Sequence, residues 1–189
     1  MHEKRFDPKK LERLNNSERY KDLPPDLIIE KAALEQPDVI IDLGAGTGFY
    51  SIPFAQRFPH SKIYACDISS VMIEWMKQNI VKKYNNIIPL TMNDSDVPLA
   101  DGIADFLFTI HLHHELDNPV KTLEECRRLL KTGAKIVISD WKKTKTEHGP
   151  PLEIRCEPKE VEKHLTEAGF SNVEIYTELK NDFLITAEV

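Results

Sequence analysis

Val39-Ile40-Ile41-Asp42-Leu43-Gly44-Ala45-Gly46-Thr47-Gly48 decides the fold. An apolar, β-branched run of strand length leads directly into three glycines at alternate positions. A helical pattern follows over 49–58. Strand, glycine turn and helix in that order put the turn at the carboxyl end of a buried strand, where open α/β sheets bind ligands. Glycine removes side chains where backbone must approach something closely. The spacing is G-x-G-x-G, whereas a dinucleotide fingerprint would need a glycine at Phe49. No G-x-x-x-x-G-K-[ST] occurs, so a phosphate-cradling loop is not supported.

A second β-rich run, 62–66, ends at Asp67, 19 residues past Gly48. An acid about 20 residues beyond such a turn bonds ribose hydroxyls. A carboxylate suits a vicinal diol because it accepts two hydrogen bonds. Asp67 also stands where a helix N-cap is expected, although Ser69 is the better cap. The ligand indicated therefore carries a ribose and no pyrophosphate, and an adenosine joined to an amino acid fits.

Asp42 to Gly48 together with Asp67 resembles the class I S-adenosylmethionine-dependent methyltransferases, in their small-molecule, type 11-like branch. Asn93-Asp94-Ser95-Asp96-Val97-Pro98-Leu99 resembles that family's acidic segment after the third strand. Ile103-Ala104-Asp105-Phe106-Leu107-Phe108 resembles its fourth strand, and Leu112-His113-His114 the histidine pair beyond it. Leu129-Leu130-Lys131-Thr132-Gly133-Ala134 resembles the turn before its fifth strand. The resemblance implies a Rossmann-like three-layer α/β/α sandwich with a mostly parallel seven-stranded sheet and an antiparallel C-terminal strand. It implies S-adenosyl-L-methionine as cofactor. The candidate contacts are Asp42, Gly44, Ala45, Gly46, Gly48 and Asp67, with Ile68 and Met72 flanking adenine. Asn93, Asp94 and Ser95, then Thr109 and His111, complete the set. Asn93 departs from the family's usual Asp, and Asp94 is the alternative acceptor.

The chain has 189 residues, is 41% hydrophobic and 30% charged, and so fits one globular domain with a small appendage. Its net charge of -6 argues against a nucleic-acid acceptor, which calls for a basic footprint. Three cysteines without paired spacing read as reduced thiols in a cytoplasmic protein. No apolar run has the length of a membrane span, so no membrane partner is expected. A monomer or a homodimer is expected.

Residues 1–35 read as a helical leader that closes over the main domain, 36–189. Helices are expected at 9–14 and 26–34, the second opened by Pro24-Pro25. Tyr20, with Arg19 beside it, is the candidate for the methionine end of the cofactor. Strands are expected at 38–42, 62–66, 87–92, 103–109 and 135–140, and helices at 48–58, 70–83 and 117–130. Such alternation implies a parallel sheet covered on both faces. A helix over 157–168 then precedes two strands, 173–178 and 183–189, joined too tightly to be parallel. The aperiodic segment 141–157 follows a strand's carboxyl end and is the candidate roof for the substrate.

The densest titratable cluster is His111-Leu112-His113-His114-Glu115-Leu116-Asp117. His114 and His113 are the catalytic candidates, since an imidazole titrates near neutrality. The alternative is that one ring packs on the cofactor while another bonds to backbone. A metal site is not expected. Asp117 reads as the N-cap of the next helix, and Asp140-Trp141 as possible substrate neighbours. The expected function is methyl transfer to a small molecule. The alternatives are a protein or tRNA methyltransferase and a non-catalytic binder of the same cofactor.

Overall fold

The computed structural model describes residues 14–189. The helix expected at 9–14 lies almost entirely outside them. In chain order the elements begin with α1 (Arg19–Asp22), α2 (Pro25–Ala32), β1 (Val39–Leu43), α3 (Ser51–Arg57), β2 (Lys62–Asp67) and α4 (Ser70–Asn79). Next come β3 (Ile87–Thr91), β4 (Ala104–Ile110), a 3-10 turn (His113–Glu115), α5 (Pro119–Leu129) and β5 (Leu130–Trp141). The chain ends with a second 3-10 turn (Leu152–Ile154), α6 (Pro158–Glu167), β6 (Ser171–Tyr176) and β7 (Asp182–Glu188).

The strands form one seven-stranded sheet in the order β3-β2-β1-β4-β5-β7-β6. The first five strands run parallel, and β7 pairs antiparallel with both β5 and β6. The chain order reverses between β1 and β4, so the crevice of a doubly wound sheet opens above their carboxyl ends. Both faces are covered by apolar layers. Ile41, Leu107 and Ile138 face α5 and α6, while Ile40, Phe106 and Phe108 face α2, α3 and α4. Phe54 of α3 stacks on Phe108 with ring centres 4.5 Å apart. Leu23 and Ile28 of the leader are fully buried in this second layer, which ties the leader to the sheet.

Several boundaries differ from the expected ones. Helix α3 begins at Ser51 rather than 48, because Gly48 keeps a left-handed φ of 71° that no helix residue adopts. Helix α4 ends at Asn79, and the chain reaches β3 through tight turns at 80–84. Asn118, not Asp117, caps α5; its side chain accepts from the Lys121 N–H (3.1 Å), because Pro119 takes the first helical position. Strand β5 starts at Leu130, five residues early, where a register shift lets Leu130 pair with Ala104.

Candidate active site

The site is built from the strand ends outward. At the end of β1 the Gly44 and Ala45 N–H groups donate to the Cys66 carbonyl (2.8 and 2.9 Å), which folds the turn back onto β2. Gly44 has φ 74°, and a Cβ there would lie 2.8 Å from the Leu112 side chain. A larger residue would push the Leu112 side chain aside and strain this left-handed backbone. Asp67 at the end of β2 accepts from the Gly46 N–H through Oδ2 (2.7 Å) and from the Ser69 N–H through Oδ1 (2.8 Å). Each oxygen keeps a lone pair for a ligand. Burial pushes the Asp67 carboxyl up, and the backbone donors pull it partly back.

Above these turns lies a cavity of about 1360 Å³. Asp42, Gly44, Ala45, Gly46, Asp67, Ile68, Met72, Asp94, Ser95, His111 and His114 all line it. Asp42 is buried beneath the turn and accepts from the Ser51 hydroxyl (2.6 Å). Burial drives its carboxyl up to about 7, against the pull of the Ser51 bond. Two buried carboxylates at one end of a cavity suit a cationic ligand.

Five expected residues do not line the cavity. Tyr20 donates to the Phe49 carbonyl (2.6 Å) and stacks on the Phe49 ring at 4.2 Å. It supports the wall from behind, and its neighbour Arg19 reaches the cavity instead. Gly48 backs onto Met76 of α4, whose sulfur would lie 3.0 Å from an added Cβ. Asn93 closes a tight bridge with Asp96, donating its N–H to the Asp96 carbonyl (2.9 Å), and the tip of that turn presents Asp94 and Ser95. Thr109 is buried in β4 with a hydroxyl that has no hydrogen-bond partner among the described residues. His113 turns to the opposite side, where its Nε2 lies 3.1 Å from His164 Nδ1 of α6. Burial drives that imidazole down to about 4, so it is neutral and faces another histidine.

Two histidine–aspartate pairs stand at the cavity wall, through His111 and His114. His114 donates through Nδ1–H to Asp140 Oδ1 (2.7 Å), and its backbone N–H donates to Asp140 Oδ2 (3.0 Å). Burial alone would raise the Asp140 carboxyl; the His114 hydrogen bond and nearby imidazoles outweigh it and hold the group below the usual carboxylate range. Asp140 is thus an ionised acceptor, so a neutral His114 ring keeps its hydrogen on Nδ1 and presents its lone pair at Nε2, 3.8 Å from Glu115 Oε1. His111 has a left-handed φ of 56°, and its ring stacks on Trp141 with centres 4.5 Å apart. Its Nε2 lies 2.7 Å from Asp182 Oδ1, and its Nδ1 faces the Arg19 guanidinium at 3.5 Å. A guanidinium only donates, so Nδ1 is the acceptor here and Nε2–H is given to Asp182.

Asp182 and Arg155 escaped the sequence reading. Asn181-Asp182 looked like a hairpin turn, yet β5–β7 pairing sets Asp182 opposite Trp141. Arg155 lay in a segment with no period, and its partners become visible only in three dimensions. Among the described residues, no group of three or more His, Cys, Asp or Glu side chains is placed to hold a metal ion.

A glycine turn and a strand-terminal acid with open acceptor positions, on a seven-stranded sheet with an antiparallel tail, are the features of the S-adenosylmethionine-dependent methyltransferases. The methyltransferase domain family model matches residues 41–138, and the chain belongs to that family. It is an S-adenosylmethionine-dependent methyltransferase whose cofactor is S-adenosyl-L-methionine. The crystal structure of a SAM-dependent methyltransferase from Aquifex aeolicus is 31% identical, with a TM-score of 0.90, covering 97% of this chain and 98% of that one. A malonyl-[acyl-carrier protein] O-methyltransferase of Methylococcus capsulatus is 28% identical over 56% of this chain and 38% of its own length. A tRNA(Phe) (4-demethylwyosine(37)-C(7)) aminocarboxypropyltransferase of Methanocaldococcus jannaschii is 31% identical over 40% of this chain and 30% of its own. The match thus spans only 38% and 30% of the length of these two curated relatives.

Proposed function

We propose that the protein transfers a methyl group to a small-molecule acceptor, with His114 as general base. The observation that carries this reading is the His114–Asp140 pair set in the wall of a cavity too large for one ligand. Its volume of about 1360 Å³ exceeds the roughly 300–1,000 Å³ of a site for a single small molecule. That leaves room for an acceptor beside the cofactor.

When bound, S-adenosyl-L-methionine supplies a methyl group already activated on a sulfonium. The residues of this chain bind, orient and manage the proton. Asp67 accepts the ribose hydroxyls, while Ile68 and Met72 cover the adenine side. Arg19 is the receptor for the cofactor's carboxylate, since it lines the cavity and pairs with no carboxylate among the described residues. His114 takes the acceptor's O–H or N–H proton on Nε2. Asp140 then stabilises the imidazolium without itself accepting the proton, as in other histidine–carboxylate pairs. Trp141 and residues 147–151 exclude water from the acceptor end.

The similarity to a tRNA-modifying enzyme favours one competing reading, a nucleic-acid acceptor. The lining charges oppose it. Glu18, Asp22, Asp94, Glu115, Asp117 and Glu147 line the cavity together with buried Asp42 and Asp67, against Arg19 and Lys121. Phosphate backbones need the reverse balance. The test is incubation with methyl-labelled cofactor and, separately, fractionated metabolites, total tRNA and protein extract. Label in a small molecule is expected; label confined to tRNA or protein overturns the proposal.

A further inference from the structure

We propose that Arg155 is a positioning residue for acceptor recognition, clamping residues 142–150 and Trp141 into the wall of the acceptor site. Arg155 does not line the cavity and is only 4% exposed. A guanidinium has five N–H donors in a rigid fork. Here those donors make five hydrogen bonds, all to one segment. Nε–H donates to the Pro150 carbonyl (2.9 Å), and Nη1 to the Lys142 and Thr144 carbonyls (2.9 Å each). Nη2 donates to the Thr146 hydroxyl (2.8 Å) and the His148 carbonyl (3.3 Å). A loop of nine residues with no secondary structure of its own is thereby wound around a single buried cation.

The same guanidinium lies over the Trp141 ring, 5.4 Å from its centre, and Trp141 also stacks on His111. Gly149 crosses this stack with a φ of 108°, and a Cβ there would lie 2.8 Å from Arg155 Nη2 and 3.0 Å from Trp141 Cδ2. Trp141, His148, Gly149 and Pro150 all face the cavity. Arg155 therefore acts through its neighbours, fixing the roof and holding Trp141 against His111. The ribose side of the cofactor end, around Gly44 and Asp67, has no part in this network, and Arg19 meets it only through His111, which Asp182 holds independently. The assignment of this wall to the acceptor rests on the methyltransferase reading above.

The test uses the emission of Trp141 in a Trp75→Phe background, since the chain has two tryptophans. Acrylamide quenching, protease cleavage within 142–150 and calorimetric titration with S-adenosylhomocysteine are compared for Arg155 and Arg155→Lys. Lysine keeps the charge but has three donors, too few for the five acceptors. Quenching should rise about threefold and cleavage should appear, while the S-adenosylhomocysteine Kd stays within about twofold. Gly149→Ala, which changes no charge, should loosen the wall in the same way, and it carries the test alone where Arg155→Lys does not fold. Unchanged quenching and cleavage would overturn the proposal, as would loss of S-adenosylhomocysteine binding in a folded variant. Failure of the parent protein to bind S-adenosylhomocysteine would instead count against the cofactor reading, because Trp141 shielding is read without ligand.

Discussion

His111 and His114 line the same cavity and each contacts a buried aspartate at 2.7 Å, yet the two pairs are wired in opposite senses. Asp140 meets His114 at Nδ1, and Nε2 makes no hydrogen bond among the described residues, its near neighbour being Glu115 Oε1 at 3.8 Å, beyond hydrogen-bond range. Asp182 meets His111 at Nε2, while Arg19 occupies the side of Nδ1. Both nitrogens of His111 are thus committed to protein partners. The lesson is that a histidine–aspartate contact does not identify a base; the nitrogen left over does. On the proposed reading one pair transfers a proton, and the other holds Trp141 and Arg19.

Substitution at the base gives the largest effect. With an acceptor from the labelling screen, His114→Ala should lower kcat by about 10²–10⁴-fold, the usual contribution of a positioned base. His111→Ala should act mainly on KM, because it removes a support rather than a proton acceptor. Equal losses of kcat in the two variants would erase the distinction between the pairs. Asp140→Asn comes next, with a loss of kcat of about 10²-fold, since an amide no longer fixes the Nδ1–H tautomer.

The remaining predictions concern the cofactor end and should leave the histidine contrast untouched. Asp67→Ala should weaken S-adenosylhomocysteine binding by about 1.5–3 kcal/mol, roughly ten- to a hundredfold, measured by calorimetry. Unchanged affinity would show that the ribose sits elsewhere. The smallest effect is in pH. Burial raises the Asp42 carboxyl to about 7 in the folded chain, above the value of about 4 it has when unfolded. Its contribution to stability is therefore full below about pH 4 and is lost as pH rises through about 7. The melting temperature of the ligand-free protein should fall from pH 5 to pH 8 relative to that of Asp42→Asn. A bound cation favours the ionised carboxylate, so affinity for S-adenosyl-L-methionine should rise over the same range. A flat profile for both proteins would remove Asp42 from the coupling.

At the glycine turn and Asp67 the sequence was legible because the signals there are local, whereas the expected contacts Tyr20, Gly48, Asn93 and Thr109 do not line the cavity. Glycine spacing, a strand-terminal acid and helix caps all act within a few residues of one another. The antiparallel tail was legible for the same reason, since the short gap at Asn181-Asp182 leaves one way for two strands to pair. The acceptor end was not. Asp182 reaches His111 across 71 residues and Asp140 reaches His114 across 26, and only sheet register brings them together. Adjacent His113 and His114 could not be told apart in sequence, yet a 3-10 turn sends one toward α6 and the other toward the cavity. Tyr20 and Arg19 diverge in the same way, because neighbours on one helical turn point to different sides. Arg155 carries no signal at all, since its partners are mostly backbone carbonyls.

The central claim is a statement about two protons, and nitrogen-15 NMR of imidazole-labelled protein at neutral pH reads it directly. The structure predicts that the neutral His114 ring carries its hydrogen on Nδ1 and the neutral His111 ring on Nε2. The two signals are assigned through His114→Gln and His111→Gln. An Nε2–H tautomer at His114 would contradict the account, because no lone pair would then remain to receive the acceptor's proton.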